Sequence, residues 1–225
     1  MLASGSDDQQ IILWRPFRQQ LVAKIDSGHT GNIFSVKFVP GTGSQELATA
    51  AADSVIFVRN LTSEAVLFEC RCHSSRVKRL QVTELEPYLI WSAGEDGMIL
   101  QNDVRCKHRC TLSGGSSGAS NCAGGSIGGK TTVENLLINL NSSFNYGVRA
   151  KCLAINRRKP EQLAVGCSDP FVRLFDRRMI RPVCMETFSN FALTDNVPMS
   201  CAQFYKPGKF LFLGGYVACQ LLTAS

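Results

Sequence analysis

Residues 2–15 read LASGSDDQQIILWR, and this stretch decides the fold because the chain repeats it. An apolar residue opens the stretch, an aspartate follows six positions later, and branched and aromatic residues come after the aspartate. The pattern returns without a gap as LATAAADSVIFVRN at 47–60, IWSAGEDGMILQND at 90–103 and LAVGCSDPFVRLFD at 163–176. Such self-similarity is the sequence signature of a repeat architecture.

The spacing of the four copies indicates the size of the repeating unit. The copies begin 45, 43 and 73 residues apart, and the long interval contains a Gly/Ser-rich stretch. Without about 30 residues there, the period returns to the roughly 40 to 45 residues of a four-stranded propeller blade. We therefore interpret residues 106–132 as an insertion within a propeller segment that covers residues 1–225.

The residue types within each copy favour β-strands. Runs such as IILW, VIFV and FVRLF are rich in branched and aromatic residues and follow Asp-centred turns, as in hairpins. The runs before the turns, such as LASGS and LATAA, are small, which lets neighbouring sheets approach closely. The sequence predicts an all-β protein, a propeller segment with about five recognisable blades.

The two ends of the chain predict an incomplete propeller. The first unit begins without an inner strand, and the last one, MSCAQFYKPGKFLFLGGYVACQLL, ends without an outer strand. Closure needs the first and last blades to complete each other and so remove the exposed sheet edges. We therefore expect an open arc or a strained ring.

Residues 124–131 read GGSIGGKT, which matches the phosphate-binding loop of nucleoside triphosphatases. Such a loop must follow a buried strand and begin a helix, so that its backbone N–H groups converge on the phosphates. Here 12 of the 18 residues from 113 to 130 are Gly or Ser, a composition that favours a flexible segment. A nucleoside triphosphatase is therefore the least favoured function.

The positive net charge of the chain makes nucleic acid an alternative partner. The chain carries 24 Lys and Arg against 18 Asp and Glu, a net charge of +6. Basic runs occur at 75–79, 105–109 and 156–159, but no aromatic residues interleave with them as stacking platforms. Binding to nucleic acid, histones or other chromatin proteins is thus one alternative function, and a general scaffold role is another.

Two groups of cysteine and histidine raise the possibility of a zinc site. Structural zinc sites use Cys pairs on a tight turn, whereas alternate residues of an extended strand lack that turn. We therefore expect no bound metal and no cofactor. The residues concerned are Cys70, Cys72, His73, Cys106, His108 and Cys110.

The first copy, with the Gly-His pair at 28–29, resembles the WD repeat. In that family a His, a strand Ser or Thr, a turn Asp and a strand Trp form a hydrogen-bonded set within one blade. By this resemblance the structural residues are Asp8, Trp14, His29, Asp53, His73, Asp96 and Asp169. The sets are incomplete: Arg59 and Asn102 stand where Trp is expected, and the fourth unit keeps only Asp169, a carboxylate without its usual partners.

More narrowly, stretches such as GHTGNIFSVKFVP, WSAGEDGMI and LAVGCSDPFVRLFDRRMI resemble the WD and tetratricopeptide repeats protein family. The resemblance implies a substrate receptor of a cullin-4 RING ubiquitin ligase, without enzymatic activity of its own. The tetratricopeptide helices have no counterpart here, and we expect the chain to be a fragment. Its partners would be the ligase's adaptor subunit and protein substrates.

The wider receptor group shares an aromatic-Asp-x-Arg signature at a strand end. The chain has FDRR at 175–178 and, with Asn in place of the aromatic residue, NDVR at 102–105. By resemblance, the adaptor-binding residues are Asp103, Arg105, Asp176 and Arg178.

The longest nearly apolar run, at 210–222, is shorter than the roughly 20 residues of a membrane-spanning helix. With no export signal apparent either, we expect an intracellular protein of the cytoplasm or nucleus, not a membrane protein.

Overall fold

The structure is a computed structural model. It describes residues 1–106, 135–143, 147–156, 159–169 and 172–178, and the backbone of three strands between 199 and 223. Within these residues the chain forms five antiparallel sheets. Two single turns, a 3₁₀-helix at Pro16–Arg18 and an α-helix at Leu140–Ser143, are the helical elements of the described part. The all-β prediction and the number of blades are confirmed.

Blade 1 is a three-stranded sheet in the order β1-β2-β3. Its inner edge strand, β1, is the LASG of the first repeat copy, which corresponds to the second strand of the next blade. In the described residues, blade 1 therefore has three strands with β1 at its inner edge. The strands are β1 (Leu2–Gly5), β2 (Gln10–Arg15) and β3 (Gln20–Asp26).

Blades 2 and 3 each contain four antiparallel strands, hydrogen-bonded in chain order. Blade 2 consists of β4 (Ile33–Phe38), β5 (Glu46–Ala51), β6 (Ile56–Asn60) and β7 (Val66–Cys70). Blade 3 consists of β8 (Val77–Thr83), β9 (Glu86–Gly94), β10 (Met98–Asp103) and β11 (Leu136–Asn139). Of the predicted insertion, residues 107–132 lie outside the described residues, as does the GGSIGGKT stretch.

Blades 4 and 5 each show three strands in the described residues. Blade 4 consists of β12 (Ala150–Ile155), β13 (Gln162–Cys167) and β14 (Val172–Asp176). Blade 5 consists of β15 (Met199–Tyr205), β16 (Lys209–Gly214) and β17 (Cys219–Thr223). Residues 179–198, between these two blades, lie outside the described part.

Strand register confirms that the four repeat copies are structurally equivalent. In each copy the first residue pairs with the thirteenth across the hairpin that the turn aspartate closes. An ungapped sequence repeat therefore becomes the same hairpin in four blades. The pairs are Leu2 with Trp14, Leu47 with Arg59, Ile90 with Asn102 and Leu163 with Phe175.

The core lies between adjacent blades. One cluster of buried apolar side chains joins blades 1 and 2, a second joins blades 2 and 3, and a third joins blades 3 and 4. The small residues Ala48, Ala50 and Ala51 of β5 are fully buried, as the composition predicted. Successive inner strands are also in contact, β4 with β8 and β8 with β12.

The predicted hydrogen-bonded set is present in blade 2. His29, which precedes β4, lies 2.9 Å from Asp53 through Nδ1 and 2.9 Å from Thr49 through Nε2. Asp53 also accepts hydrogen bonds from the backbone N–H groups of Thr30 and Val55. The carboxylate thereby joins the entry to the inner strand to the turn between the two middle strands.

Blade 3 repeats this arrangement. His73 lies 2.9 Å from Asp96 through Nδ1 and 2.9 Å from Ser92 through Nε2. Burial alone would raise the pKa of Asp96, but hydrogen bonds from His73 and from the backbone N–H groups of Met98 and Ser74 hold it below its usual value. The carboxylate is therefore held in its charged form.

Blade 4 has a different partner for its turn aspartate. Val165 stands at the Ser/Thr position of the set, and the guanidinium of Arg173 binds Asp169 through both terminal nitrogens, with Nη1 2.8 Å from Oδ1. Arg173 is 2% exposed, so the buried Arg173–Asp169 pair takes the place of the His–Asp bond of blades 2 and 3.

Blade 1 keeps the contact between tryptophan and serine. Trp14 Nε1 donates to Ser4 Oγ at 2.9 Å, whereas the turn carboxylate of Asp8 is exposed and accepts from the backbone N–H of Gln10.

We predict that replacing His29 by leucine destabilises the protein by about 3 kcal/mol, because Asp53 and Thr49 lose a buried hydrogen-bond partner. Urea unfolding followed by tryptophan fluorescence would measure the change. Thr30→Ala is the matched control, since its exposed side chain is lost while its backbone N–H still reaches Asp53. Equal unfolding midpoints for His29→Leu and the control would contradict the structural role of the set.

Stability is also expected to fall on acidification. Burial lowers the pKa of His29 below its ordinary 6.5, although the Asp53 carboxylate partly opposes the effect. The unfolded state therefore binds more protons between the two pKa values, and stability present above pH 6.5 is lost as the pH drops towards the folded-state pKa. Unfolding midpoints at pH 8 and pH 5.5 should differ less in His29→Leu than in the wild type. The same pH dependence in both proteins would exclude His29 as its source.

Candidate protein-interaction edge

The two predicted Asp-x-Arg signatures form the same turn in neighbouring blades. Asp103 ends β10 and Asp176 ends β14, each the third strand of its blade. In both turns Oδ1 of the aspartate accepts a 3.0 Å hydrogen bond from the backbone N–H of the arginine two residues later. In each turn the aspartate carboxylate therefore fixes the position of the arginine backbone.

The arginine side chains bind the same carboxylates. Arg105 and Arg178 each place Nε 3.0 Å from Oδ1 and Nη2 2.6 Å from Oδ2 of their aspartate. These hydrogen bonds lower the pKa of Asp103 and of Asp176 and raise those of the two arginines. Every group of the two turns is thus charged at neutral pH.

Both arginine side chains remain exposed to solvent although each is bound to its aspartate. Their side chains are 61% and 66% exposed for Arg105 and Arg178. A guanidinium has five N–H donors, and the bidentate contact uses two of them. Arg178 Nη2 also lies 3.9 Å from Glu161 Oε1. The Nη1 donors of both guanidinium groups take no part in the bidentate contacts and are oriented towards carboxylates or carbonyls that another protein could supply.

The two turns lie at the same edge of the sheets. Asp103 pairs with Leu89 near the beginning of β9, and Asp176 pairs with Gln162 at the beginning of β13. The His-bound Asp96 lies before β10, at the opposite end of that strand. Six residues of strand separate the two ends by about 20 Å.

A third arginine, Arg177, links the two turns. Its Nε donates to the carbonyl of Pro160 at 2.6 Å, Nη2 forms an ion pair with Glu86 on β9, and the guanidinium lies 4.9 Å from the centroid of the Trp91 ring. Glu86 belongs to the strand that also carries Tyr88, whose ring lies 4.4 Å from the guanidinium carbon of Arg105. The blade 4 turn is thus fastened to the blade 3 edge.

Arg177 was missed by the sequence reasoning because it occupies the unrestricted position of the signature. The equivalent residue of blade 3 is the uncharged Val104. Its backbone N–H donates to the carbonyl of Tyr88, as that of Arg177 donates to the carbonyl of Glu161. The link between the blades depends on Glu86, which lies 91 residues away in sequence and is brought to Arg177 by the fold.

Blades 1 and 2 do not repeat the arginine. Asn60 at the end of β6 accepts hydrogen bonds from the backbone N–H groups of Thr62 and Ser63, so the turn geometry persists, but Thr62 stands in the arginine position. In blade 1 the chain enters the 3₁₀-helix at Pro16 instead. Among the described blades, the arginine pair is specific to blades 3 and 4.

An apolar cleft adjoins Arg105. It has a volume of about 270 Å³ and lies between blades 2 and 3, with Val39, Val58 and Val104 among its lining residues. Tyr88 and Leu67 also line it, and both are 50% exposed. The edge therefore combines oriented charge with exposed apolar surface, as interfaces between proteins do.

The described residues contain no group of three His, Cys, Asp or Glu side chains arranged to hold a metal ion. Cys70 and Cys72 are buried, and His73 is engaged with Asp96, while His108 and Cys110 lie outside the described residues. The described part also contains no helix that is long and apolar enough to cross a membrane.

No model of a known protein family matches the chain. Human WD and tetratricopeptide repeats protein 1 is 40% identical over 182 residues, which are 80% of this chain and 23% of that protein. Protein ALTERED SEED GERMINATION 2 of Arabidopsis thaliana is 33% identical over 201 residues, 81% of this chain and 25% of that protein. Human DDB1- and CUL4-associated factor 6 is 33% identical over 182 residues, 80% of this chain and 18% of that protein.

The chain spans a quarter or less of the length of these curated relatives. Two of the four repeat copies carry the His–Asp–Ser/Thr set, and all four share one strand register. Together with the similarity to proteins with WD repeats, these features show that the chain belongs to the WD-repeat proteins.

Proposed function

We propose that this protein is an interaction scaffold that acts as a substrate receptor of a cullin-4 RING ubiquitin ligase. The observation that carries the proposal is the pair of Asp-x-Arg turns at one edge of blades 3 and 4, with the same set of hydrogen bonds in each. Two copies in neighbouring blades favour a surface that presents arginine to a partner.

The similarity to DDB1- and CUL4-associated factor 6 supports this assignment, since that protein's name states its association with DDB1 and CUL4. We infer that the adaptor subunit of the ligase is the partner of the arginine edge and that DDB1 is the candidate for that subunit. A ligase role also requires an intracellular protein, in the cytoplasm or nucleus.

The geometry favours binding for an entropic reason. A free arginine side chain loses rotamer freedom on binding, at a cost of about 0.5–1.5 kcal/mol for each ordered side chain. Asp103 and Asp176 already restrict their arginines before a partner arrives. The planar guanidinium can then form paired hydrogen bonds to a carboxylate or to backbone carbonyls.

The contacts of the described histidines agree with a non-catalytic role. Both described histidines, His29 and His73, are buried and bound to an aspartate within a blade. A general base must reach a substrate proton, and these rings do not reach the surface. The substrate in this proposal is a protein that the scaffold holds for modification by the ligase.

We predict that Arg105→Ala and Arg178→Ala each weaken binding to purified DDB1 by about 2 kcal/mol, roughly thirtyfold in Kd, and that the double variant abolishes measurable binding. Surface plasmon resonance with the full chain would measure the affinities. Arg71→Ala is the matched control, because Arg71 is also 61% exposed and ion-paired with a carboxylate two residues away.

Equal affinity of the wild type and the folded double variant would overturn the receptor assignment and leave a WD-repeat scaffold of another pathway. Tight, salt-sensitive binding to histones or duplex DNA in place of DDB1 would favour the chromatin alternative instead.

A further inference from the structure

Four inner strands share an irregularity at the equivalent position, which in blades 3 and 4 lies at the edge opposite to the arginine turns. The register shifts between Ile33 and Ser35 in β4, between Val77 and Arg79 in β8, between Ala150 and Cys152 in β12, and between Met199 and Cys201 in β15. In blades 2, 3 and 4 the extra residues are Phe34, Lys78 and Lys151. A β-bulge redirects a side chain and is frequent beside functional sites.

These side chains meet between blades. Lys78 Nζ lies 3.2 Å from the centroid of the Phe34 ring, and Lys151 forms an ion pair with Glu95 in the turn before β10. Glu95 also interacts electrostatically with Lys78 and with the exposed Arg76. We call Phe34, Arg76, Lys78, Glu95 and Lys151 the cationic cluster.

The cluster has an excess of positive charge. Three cations surround the Glu95 carboxylate, and Asp7 of blade 1 is a second carboxylate that acts on Lys78. Burial lowers the pKa of Lys78, with the neighbouring Lys151 and Arg76 adding to the effect and Glu95 opposing it. A further carboxylate brought against Lys78 would offset that cost.

The position of the cluster leaves the arginine turns free. Glu95 precedes β10, whereas Asp103 ends it, so the cluster and the Arg105 turn lie at opposite ends of the same strand, about 20 Å apart. One partner can therefore occupy each edge without excluding the other.

We propose that the cationic cluster binds an acidic segment of a partner protein, with carboxylates of that segment placed against Lys78, Lys151 and Arg76. Charge complementarity carries this choice of occupant. Nucleic acid fits less well, because Lys78 covers the aromatic ring on which a base would stack.

The test uses the full chain and a fluorescein-labelled octaglutamate peptide, followed by fluorescence anisotropy. Lys78→Gln and Lys151→Gln should each weaken binding by roughly tenfold, as expected for the loss of a hydrogen bond to a charged group. Glu95→Gln should tighten binding, because it removes the competing carboxylate. Lys24→Gln, at an exposed lysine of β3, is the matched control and should leave the affinity unchanged.

Arg76→Gln, at an exposed position, provides a second cluster variant if a change in β8 or β12 prevents folding, and it should also weaken binding. No binding of octaglutamate to the wild type, or equal binding by the wild type and the folded cluster variants, would overturn the proposal. If duplex DNA displaces the peptide at a phosphate concentration far below the concentration of peptide carboxylates, the proposal is overturned in favour of nucleic acid. The inference does not depend on the ligase assignment, since Arg105→Ala and Arg178→Ala should leave octaglutamate binding intact.

Discussion

The bond between a buried histidine and the turn aspartate holds each complete blade together. In blades 2 and 3 the carboxylate accepts from the imidazole and also from backbone N–H groups on both sides, at the turn and at the entry to the inner strand. Two chain segments more than 20 residues apart in sequence thus share one buried anion. A buried charge is costly unless it is paired, so the pairing restricts how the strands can align.

The fixed register has a consequence for function. Once the turn aspartate sets one end of a hairpin, the residue that ends the third strand is set as well, and in blades 3 and 4 that residue is Asp103 or Asp176. The structural aspartates and the arginine-holding aspartates therefore mark opposite edges of the same sheets. A scaffold that brings a ligase and its substrate together needs two such separated surfaces.

Local pattern in the sequence was sufficient to predict the strands, because the spacing of about 45 residues exposes the repeat unit. The His–Asp sets and the Asp-x-Arg signatures came from the resemblance to the WD-repeat family, and each of them depends on residues close to one repeat unit. The role of Arg173 was not predicted, since an arginine within a strand has no fixed partner until the fold brings Asp169 against it. Arg177 and the cationic cluster were missed for a related reason, because their contacts cross from one blade to the next.

Substitution of one arginine removes a charge as well as a contact, so the location of the partner is best observed in the unaltered chain. Amide hydrogen exchange of the protein, with and without purified DDB1, gives that location directly, because docking protects the backbone it covers. The account predicts protection in peptides that contain residues 86–89, 103–106 and 175–178, with residues 33–35 and 76–79 unchanged. Protection confined to the edge of the cationic cluster, or no protection at either Asp-x-Arg turn while DDB1 is bound, would contradict it.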